Sequence, residues 1–444
     1  MNIKRITVKN FRGFEDRFFE FDSKMNVVLG DNTTGKTTLL QAVQIALGAY
    51  FQAMSLIPGG KAFSRNFQQN DHVKQFSDIN KSFFPSVNKP YIGVTAEFNK
   101  AIYNIKDNHL DDNKSLINWY RNSNNISRKS AGELIKTVNE MENTRRNADM
   151  TGINYIFPLM LSFGALRLEK NYRSAEKTKV RETREAKAYK CALDEQVDFK
   201  GAFDWIYRYD KNLSRGLEFN GTRDAFIETL KMAIPALKQI EIDTKNGEFS
   251  AEIQMAKDPS PHWLTYDMMS AGFKAMINIV AEIAYRCIEL NGFLGKDAVT
   301  STPGIILIDE LDLYLHPHWQ QHILMDLQVA FPKMQFIVTT HSPFIVQSVK
   351  SQNVITLDGV KGDTNPDMRS IEDIAVTEMN MDSARFPRYR QMVEQAEKYY
   401  QLVKSGKENT EEATEVKKML DEIEEQFSDD PAYVALLRSE RNSQ

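Results

Sequence analysis

The sequence predicts an α/β protein with a mixed sheet, a helical insertion and a C-terminal helical tail. Alternating apolar and polar residues at the start of the chain lead through short strands into a glycine-rich turn, and residues 39–50 then follow a helical pattern. Two continuous apolar segments, residues 304–308 and 335–339, are typical of buried parallel strands. From about Asp363 onward the chain is charged and helical in pattern.

The composition indicates an ordinary globular protein. The chain has 444 residues, 42% hydrophobic and 26% charged, with a formal net charge of −4. This near-neutral balance excludes a protein that wraps nucleic acid with its whole surface. The longest apolar run, near residues 156–166, is shorter than the roughly 18 residues that span a bilayer. With no signal-peptide core and no cysteine framework, we expect a cytoplasmic protein without a membrane segment.

Shifts in composition predict the domain organisation. We expect residues 1–169 and 255–362 to form the two parts of one α/β unit, residues 170–254 a charged and helical insertion, and residues 363–444 a helical tail. Residues 170–190 are dense in Lys, Arg and Glu. Such a run is usually a solvated helix face or loop, and the alternative is a local contact for DNA or RNA.

A phosphate-binding loop is predicted at residues 30–37, where GDNTTGKT fits the GxxxxGK[ST] pattern between a strand and a helix. The glycines let backbone N–H groups close on phosphates, and the helix N-terminus adds partial positive charge. The lysine would reach the β- and γ-phosphates and the threonine after it would hold Mg²⁺. The residues predicted to contact ATP here are Gly30, Asn32, Gly35, Lys36, Thr37 and Thr38.

The apolar strand at residues 304–308 ends in two acids. Asp309 would stand at the carboxyl edge of the sheet and bind Mg²⁺ together with Thr37, and Glu310 would polarise the attacking water. Acids at this position also cap helices, so the pattern alone is weak. The phosphate loop upstream makes it specific.

Two further candidates follow from their positions. His341 ends the second buried strand and would sense the γ-phosphate, although a lone histidine is more often a structural residue. Ser270 and Gly272 open a helix, where a hydroxyl and a backbone N–H suit a phosphate. Taken alone, Ser270 is an ordinary helix N-cap.

Along the chain, the phosphate-binding loop, the Ser270–Gly272 segment, the two acids after residue 308 and His341 follow one another in the order typical of the ABC ATPase superfamily. They resemble its Walker A motif, signature loop, Walker B motif and switch histidine, respectively. NFRGF at residues 10–14 resembles the start of RecF, SMC, Rad50 and OLD proteins, which implies that Arg12 approaches the nucleotide. DELDLYLHPHWQ at residues 309–320 resembles the OLD-like subgroup and the PtuA ATPases of Septu and retron anti-phage systems. The resemblance therefore implies an ABC-type head that binds and hydrolyses ATP with Mg²⁺.

The resemblance also implies partners. In the superfamily, ATP lies between two heads, so one chain with one set of motifs is expected to form a head-to-tail homodimer or higher oligomer. Ser270 and Gly272 would then meet the ATP held by the other subunit. By the same resemblance an HNH-type nuclease is the expected partner. No nuclease site is recognised in this chain, so any cleavage of DNA would be carried out by that partner.

Some residues depart from the family pattern. The signature loop has Met269 and Ala271 at positions where other residues are usual, and no Q-loop glutamine is assigned. His316, His318 and His322 suggest a metal site, but no Glu or Cys completes a zinc ligand set with the usual spacing.

Three functions compete at this stage. The first is a regulatory ATPase that controls a nuclease in bacterial anti-phage defence. The second is a RecF/SMC-like repair ATPase that binds DNA directly through residues 170–190. The third, the nucleotide-binding subunit of an ABC transporter, is disfavoured by the NFRGF and LHPHWQ segments.

Overall fold

The computed structural model describes residues 1–57, 63–77, 82–86, 88–107, 109–165, 167, 183–194, 200–254, 260–358, 365–381, 387–407 and 410–424. The chain divides into two compact units, Met1–Ile374 and Ala375–Gln444. No helix among the described residues is long and apolar enough to cross a membrane. The charged segment at 168–182 and the end of the tail at 425–444 lie outside the described residues.

The strands are β1 (Asn2–Phe11), β2 (Phe14–Glu20), β3 (Met25–Leu29), β4 (Lys74–Ser77), β5 (Ser82–Pro85), β6 (Tyr91–Asn104), β7 (His109–Arg121), β8 (Ile153–Tyr155), β9 (Leu159–Phe163), β10 (Leu237–Asp243), β11 (Glu248–Ile253), β12 (His262–Thr265), β13 (Gly304–Ile308), β14 (Met334–Thr339) and β15 (Val354–Thr356).

The α-helices are α1 (Lys36–Ala53), α2 (Arg128–Arg146), α3 (Ala148–Thr151), α4 (Arg184–Tyr189), α5 (Lys200–Leu213), α6 (Thr222–Ala233), α7 (Ala271–Asn291), α8 (Ala298–Ser301), α9 (Pro317–Gln320), α10 (Ile323–Ala330), α11 (Pro343–Gln347), α12 (Ile371–Thr377), α13 (Pro387–Lys404) and α14 (Glu411–Glu424).

A parallel sheet forms the centre of the larger unit. Its strand order is β15-β3-β14-β13-β9, and each neighbouring pair is parallel. Every residue of β3, β9, β13 and β14 is buried, which the continuous apolar segments predicted for β13 and β14. Because parallel strands end at the same edge, the loops after β3, β13 and β14 come together there.

An antiparallel sheet, ordered β2-β1-β6-β7 with β8 also paired to β6, makes the overall strand arrangement mixed, as predicted. Along β6 buried and half-buried residues alternate, which is typical of a sheet with one face on the core. The sequence of residues 106–130, polar and rich in Asn and Lys, predicts hairpins and loops, but residues 109–121 form one long strand, β7. The strand was not recognised because few of its residues, among them Ile117 and Trp119, are buried.

The segment predicted as a helical insertion, residues 170–254, contains α4, α5 and α6, but also β10 and β11, which form a three-stranded sheet with β12 beyond residue 254. The sequence Lys245-Asn246-Gly247 predicts a hairpin turn. In the structure this turn joins β10 to β11, with Gly247 at a φ of +68°. The side chain of Asp243 accepts hydrogen bonds from the backbone N–H groups of Lys245 and Asn246, which stabilise this turn. The predicted domain boundaries remain predictions.

A buried glutamine joins the two large sheets. Gln335 of β14 accepts a hydrogen bond from the backbone N–H of Ile3 through Oε1, at 2.8 Å. Its Nε2 donates to the carbonyl oxygens of Ile3 at 2.8 Å and Asp22 at 2.7 Å. Since Gln335 is fully buried, these backbone groups depend on its amide for hydrogen bonding.

We predict that Gln335→Met, which keeps most of the side-chain volume, lowers the free energy of unfolding by about 1–3 kcal/mol. The reason is that it leaves buried backbone groups of Ile3 without a partner. Urea unfolding followed by circular dichroism measures the change. Gln321→Met is the matched control, because Gln321 is exposed. Equal losses in the two variants would contradict the prediction.

Candidate active site

The predicted phosphate loop lies between β3 and α1, as the sequence indicates. Its glycines are required by both conformation and space. Gly30 has a φ of +151° and Gly35 a φ of +107°. A Cβ atom on Gly30 would lie 2.4 Å from Oγ1 of Thr34, and one on Gly35 would lie 2.9 Å from Cζ of Phe14. Any side chain at either position would therefore distort the loop.

Lys36, the first residue of α1, turns its ammonium group into this loop. Its Nζ donates hydrogen bonds to the carbonyl oxygens of Gly30 at 2.6 Å and Asp31 at 3.0 Å. The side chain is buried, and burial lowers the pKa of Lys36. Nearby carboxylates oppose that shift, in decreasing order Asp358, Asp309, Asp31 and Glu310. The lysine is thus a cation held where phosphates would enter.

Asp309 and Thr37 meet across the sheet edge, as predicted for a shared Mg²⁺ site. One carboxylate oxygen of Asp309 accepts a hydrogen bond from Oγ1 of Thr37 at 2.9 Å. The other accepts one from Oγ1 of Thr339, at the end of β14, at 2.5 Å. Hydroxyl and carboxylate oxygens are ligands that Mg²⁺ prefers, so this pair fits the ion.

The neighbouring Glu310 is held in an unusual backbone conformation. Its φ is +48°, a region that L-residues seldom adopt. Its backbone N–H donates to Oγ1 of Thr339 at 2.8 Å, so the same hydroxyl contacts both acids that follow β13. The hydrogen bond fixes the start of the turn from which the Glu310 side chain projects.

Arg167, which the sequence did not single out, stabilises the turn at Asp309 and Glu310 through hydrogen bonds to its carbonyl oxygens. Its guanidinium donates to the carbonyl oxygens of Asp309 at 2.8 Å, Glu310 at 3.0 Å, Gly164 at 3.3 Å and Leu313 at 3.4 Å. The residue is 3% exposed, and burial lowers the pKa of its guanidinium. The only sequence signal was a cation directly after the apolar segment at residues 156–166.

Asp312, the third acid of residues 309–312, connects this turn to the loop that follows β14 and contains His341. Oδ1 of Asp312 accepts hydrogen bonds from Oγ1 of Thr340 at 2.6 Å and from the backbone N–H of His341 at 3.2 Å. The His341 side chain itself is exposed. His341 therefore stands at the same sheet edge as Asp309 and Glu310, with its backbone fixed and its ring open to a ligand.

The LHPHWQ segment is tied to the same loop through a glutamine. Oγ of Ser342 donates to Oε1 of Gln320 at 2.6 Å, and Nε2 of Gln320 donates to the carbonyl oxygen of Leu315 at 2.8 Å. Asp312 and Gln320 thus have structural partners within the site that sequence spacing alone did not predict.

The signature-loop residues lie at the start of α7. Ser270 is its N-cap, accepting a hydrogen bond from the backbone N–H of Phe273 at 3.4 Å, and it is exposed. Gly272 is buried, and a Cβ atom there would lie 2.7 Å from the carbonyl oxygen of Tyr314. The glycine therefore permits close packing of α7 on the turn that follows Glu310.

Arg12 is engaged by a carboxylate. Its Nε donates to Oδ1 of Asp71 at 2.8 Å, and its backbone N–H donates to the Asp71 carbonyl oxygen at 2.9 Å. Asp71 is fully buried and also pairs with Arg65. The ion pair fixes Arg12 at the end of β1, and a contact between Arg12 and nucleotide remains a prediction.

The histidines considered for zinc have other contacts. Nδ1 of His316 accepts a hydrogen bond from the backbone N–H of His318 at 3.2 Å. The rings of His318 and His322 pack edge to face, with centroids 5.4 Å apart. Within the described ranges, no group of three or more His, Cys, Asp or Glu side chains could hold a metal ion.

The chain is similar to known proteins. Residues 1–346 match the family model described as AAA ATPase domain. The chain belongs to this family. It is 23% identical to the Retron Vc95 probable ATPase of Vibrio cholerae serotype O1 biovar El Tor, over 94% of this chain and 86% of that protein. It is 33% identical to Septu protein PtuA of Bacillus thuringiensis, over 36% of this chain and 39% of that protein.

A solved SMC head bound to the C-winged helix domain of ScpA aligns with 82% of this chain and 96% of that one, at 14% identity and a TM-score of 0.42. The family match and the relatives confirm the predicted resemblance to RecF/SMC/OLD-like ATPases, with likeness to retron and PtuA proteins. The chain is an ATPase of α/β fold that binds nucleotide. The roles of the individual site residues remain predictions.

We predict that Arg167→Lys lowers the turnover rate for ATP at least ten-fold, which corresponds to about 1.4 kcal/mol, while the dissociation constant for ATP changes little. A lysine cannot reproduce the forked contacts to several carbonyl oxygens, so the turn carrying Glu310 is no longer fixed. Steady-state hydrolysis and ATP titration measure the two quantities separately.

Arg184→Lys is the matched control, because Arg184 also donates to carbonyl oxygens, those of Leu217 and Ile288, but contacts none of the site residues. If turnover and ATP affinity fell in parallel in Arg167→Lys, the role of Arg167 would be general stability rather than positioning.

Proposed function

We propose that this chain binds Mg²⁺-ATP between two copies of itself and that the ATP state of this dimer regulates a partner nuclease in bacterial anti-phage defence. The observation that supports the ATP site most directly is the Asp309 carboxylate hydrogen-bonded to Thr37, beside the buried ammonium of Lys36. A cation, a hydroxyl and a carboxylate at the N-terminus of α1 are the groups that triphosphate and Mg²⁺ require.

Each group has a distinct task in hydrolysis. Lys36 and the loop N–H groups would bind the phosphates, and Thr37 and Asp309 would hold Mg²⁺. When bound, Mg²⁺ neutralises phosphate charge. The Glu310 carboxylate would accept a proton from the water that attacks the γ-phosphorus, as the bond between that phosphorus and the bridging oxygen to the β-phosphate breaks. His341 would donate a hydrogen bond to the γ-phosphate.

Dimerisation is proposed from the position of the signature loop. Ser270 is exposed at the N-terminus of α7 and hydrogen-bonds within its own helix, which leaves it accessible to ATP held by a second copy. Met268 and Tyr314 nearby are large apolar side chains that are 68% and 47% exposed. Covering them is favourable, because apolar surface is removed from water.

We expect Lys36→Ala to abolish ATP binding, because the phosphates lose their buried cation.

Glu310→Gln should retain ATP binding, lower the hydrolysis rate by roughly 10²–10⁴-fold, and accumulate an ATP-bound dimer. Light scattering during size-exclusion chromatography, with and without ATP, measures the dimer. Glu241→Gln, a substitution of an exposed glutamate of β10 outside the site, is the control. Normal turnover in Glu310→Gln would exclude Glu310 as the base.

The defence role rests on the relatives and on the resemblance of the DELDLYLHPHWQ segment, since one relative is named as a retron ATPase and another as a Septu protein. By that resemblance the partner is an HNH-type nuclease. The second candidate function, a repair ATPase that binds DNA itself through residues 170–190, depends on a segment of which residues 170–182 lie outside the described residues.

The partner is tested by tagging the chain among its genomic neighbours, purifying it at low salt and identifying co-eluting proteins by mass spectrometry. We expect a nuclease in stoichiometric amount, and Lys36→Ala purified in the same way reports whether its retention depends on ATP. A dimer that carries only DNA would instead favour the repair-type function.

A further inference from the structure

A groove of about 540 Å³ lies on the antiparallel sheet β2-β1-β6-β7. None of its lining residues belongs to the phosphate loop. Its volume falls within the range of about 300–1,000 Å³ typical of ligand sites. Residues from β1, β6, β7 and the first turn of α2 line the groove.

Two stacked tyrosines form one wall. The rings of Tyr91 and Tyr120 have centroids 5.4 Å apart and an interplanar angle of 26°. The strand registers align Phe18, Thr7, Gly93 and Tyr120 in one row across the sheet. A Cβ atom at Gly93 would lie 3.0 Å from Oη of Tyr91, so this glycine makes room for the ring. Phe18, at the other end of the row, is 63% exposed.

The charge of the groove is predominantly positive. Three cations, Arg5, Arg128 and Lys129, and one carboxylate, Glu133, line it. Arg5 is paired with Glu20. Arg128 and Lys129 are exposed, and neither forms an ion pair with another residue that the structure describes.

An amide group adds directional hydrogen bonding beside the tyrosines. Oδ1 of Asn118 accepts a hydrogen bond from Oγ1 of Thr95 at 2.7 Å. Because this contact uses the amide oxygen, it orients the amide NH₂ of Asn118 as a donor for a ligand in the groove.

We propose that this groove binds single-stranded nucleic acid. An unpaired base would stack on the tyrosine wall, the amide of Asn118 would donate to the base edge, and Arg128 and Lys129 would contact the backbone phosphates. Aromatic side chains on an open antiparallel sheet next to cations are suited to such strands, because every base has a face that stacks. A duplex offers no free base face, so the groove should prefer single strands.

The test is fluorescence anisotropy of the full chain with a labelled oligothymidylate of about 16 nucleotides, in the absence of ATP. We expect Tyr120→Ala to weaken binding about ten-fold and Tyr120→Phe to restore it, because Phe keeps the stacking face. Removing both cations in Arg128→Ala/Lys129→Ala should reduce the slope of log affinity against log salt by roughly 0.7 per lost phosphate contact.

The matched controls are Trp263→Ala and Arg215→Ala, an exposed aromatic and an exposed cation outside the groove, which should leave the affinity unchanged. Thermal unfolding confirms that each variant is folded. ATP hydrolysis should be normal in Tyr120→Ala, so failure of this proposal and failure of the ATP site are distinguishable.

Equal affinity for a duplex of the same length would overturn the proposal, as would an oligonucleotide affinity that folded Tyr120→Ala retains. Loss of a co-purifying protein in Tyr120→Ala, without any oligonucleotide binding by the unmodified chain, would also overturn it and assign the groove to a protein partner.

Discussion

The buried carboxylate of Asp309 is the constraint on which the rest of the site depends. A buried charge is costly unless it is hydrogen-bonded, and Asp309 meets that requirement with the hydroxyls of Thr37 and Thr339. The first belongs to the phosphate-loop helix and the second to β14, so one side chain fixes the helix against two adjacent strands. The guanidinium of Arg167 holds the carbonyl oxygen of the same residue.

Features encoded by local sequence could be predicted, and features that depend on distant partners could not. The strands β13 and β14 were predicted because burial on both faces gives continuous apolar segments, and β3 was predicted as one of the short strands that precede the glycine-rich turn. The phosphate loop was predicted because its glycines and lysine are contiguous. Arg167 was missed because its partner Asp309 is 142 residues away along the chain, and no spacing rule connects them.

For residues that have both a predicted contact with ATP and a structural contact within the chain, only the first was predicted. Gly272 was singled out for a phosphate-facing N–H, whereas the structure also shows that it permits close approach to the carbonyl oxygen of Tyr314. Arg12 was assigned to the nucleotide through resemblance, and its Nε lies on the buried carboxylate of Asp71. β7 was overlooked because polar residues dominate its sequence and few of its residues are buried.

The packing of Gly272 on Tyr314 bears on how two sites in a dimer would communicate. Tyr314 belongs to the turn after Glu310, which in the proposed dimer would serve the ATP of its own subunit, whereas α7 would carry Ser270 toward the ATP of the other. Because a Cβ atom at Gly272 would lie only 2.7 Å from the carbonyl oxygen of Tyr314, the two segments pack closely, and we expect a shift of one to move the other. In the proposed dimer, ATP occupancy of one site would therefore alter the affinity of the second, and binding would be cooperative with a Hill coefficient different from that of independent sites.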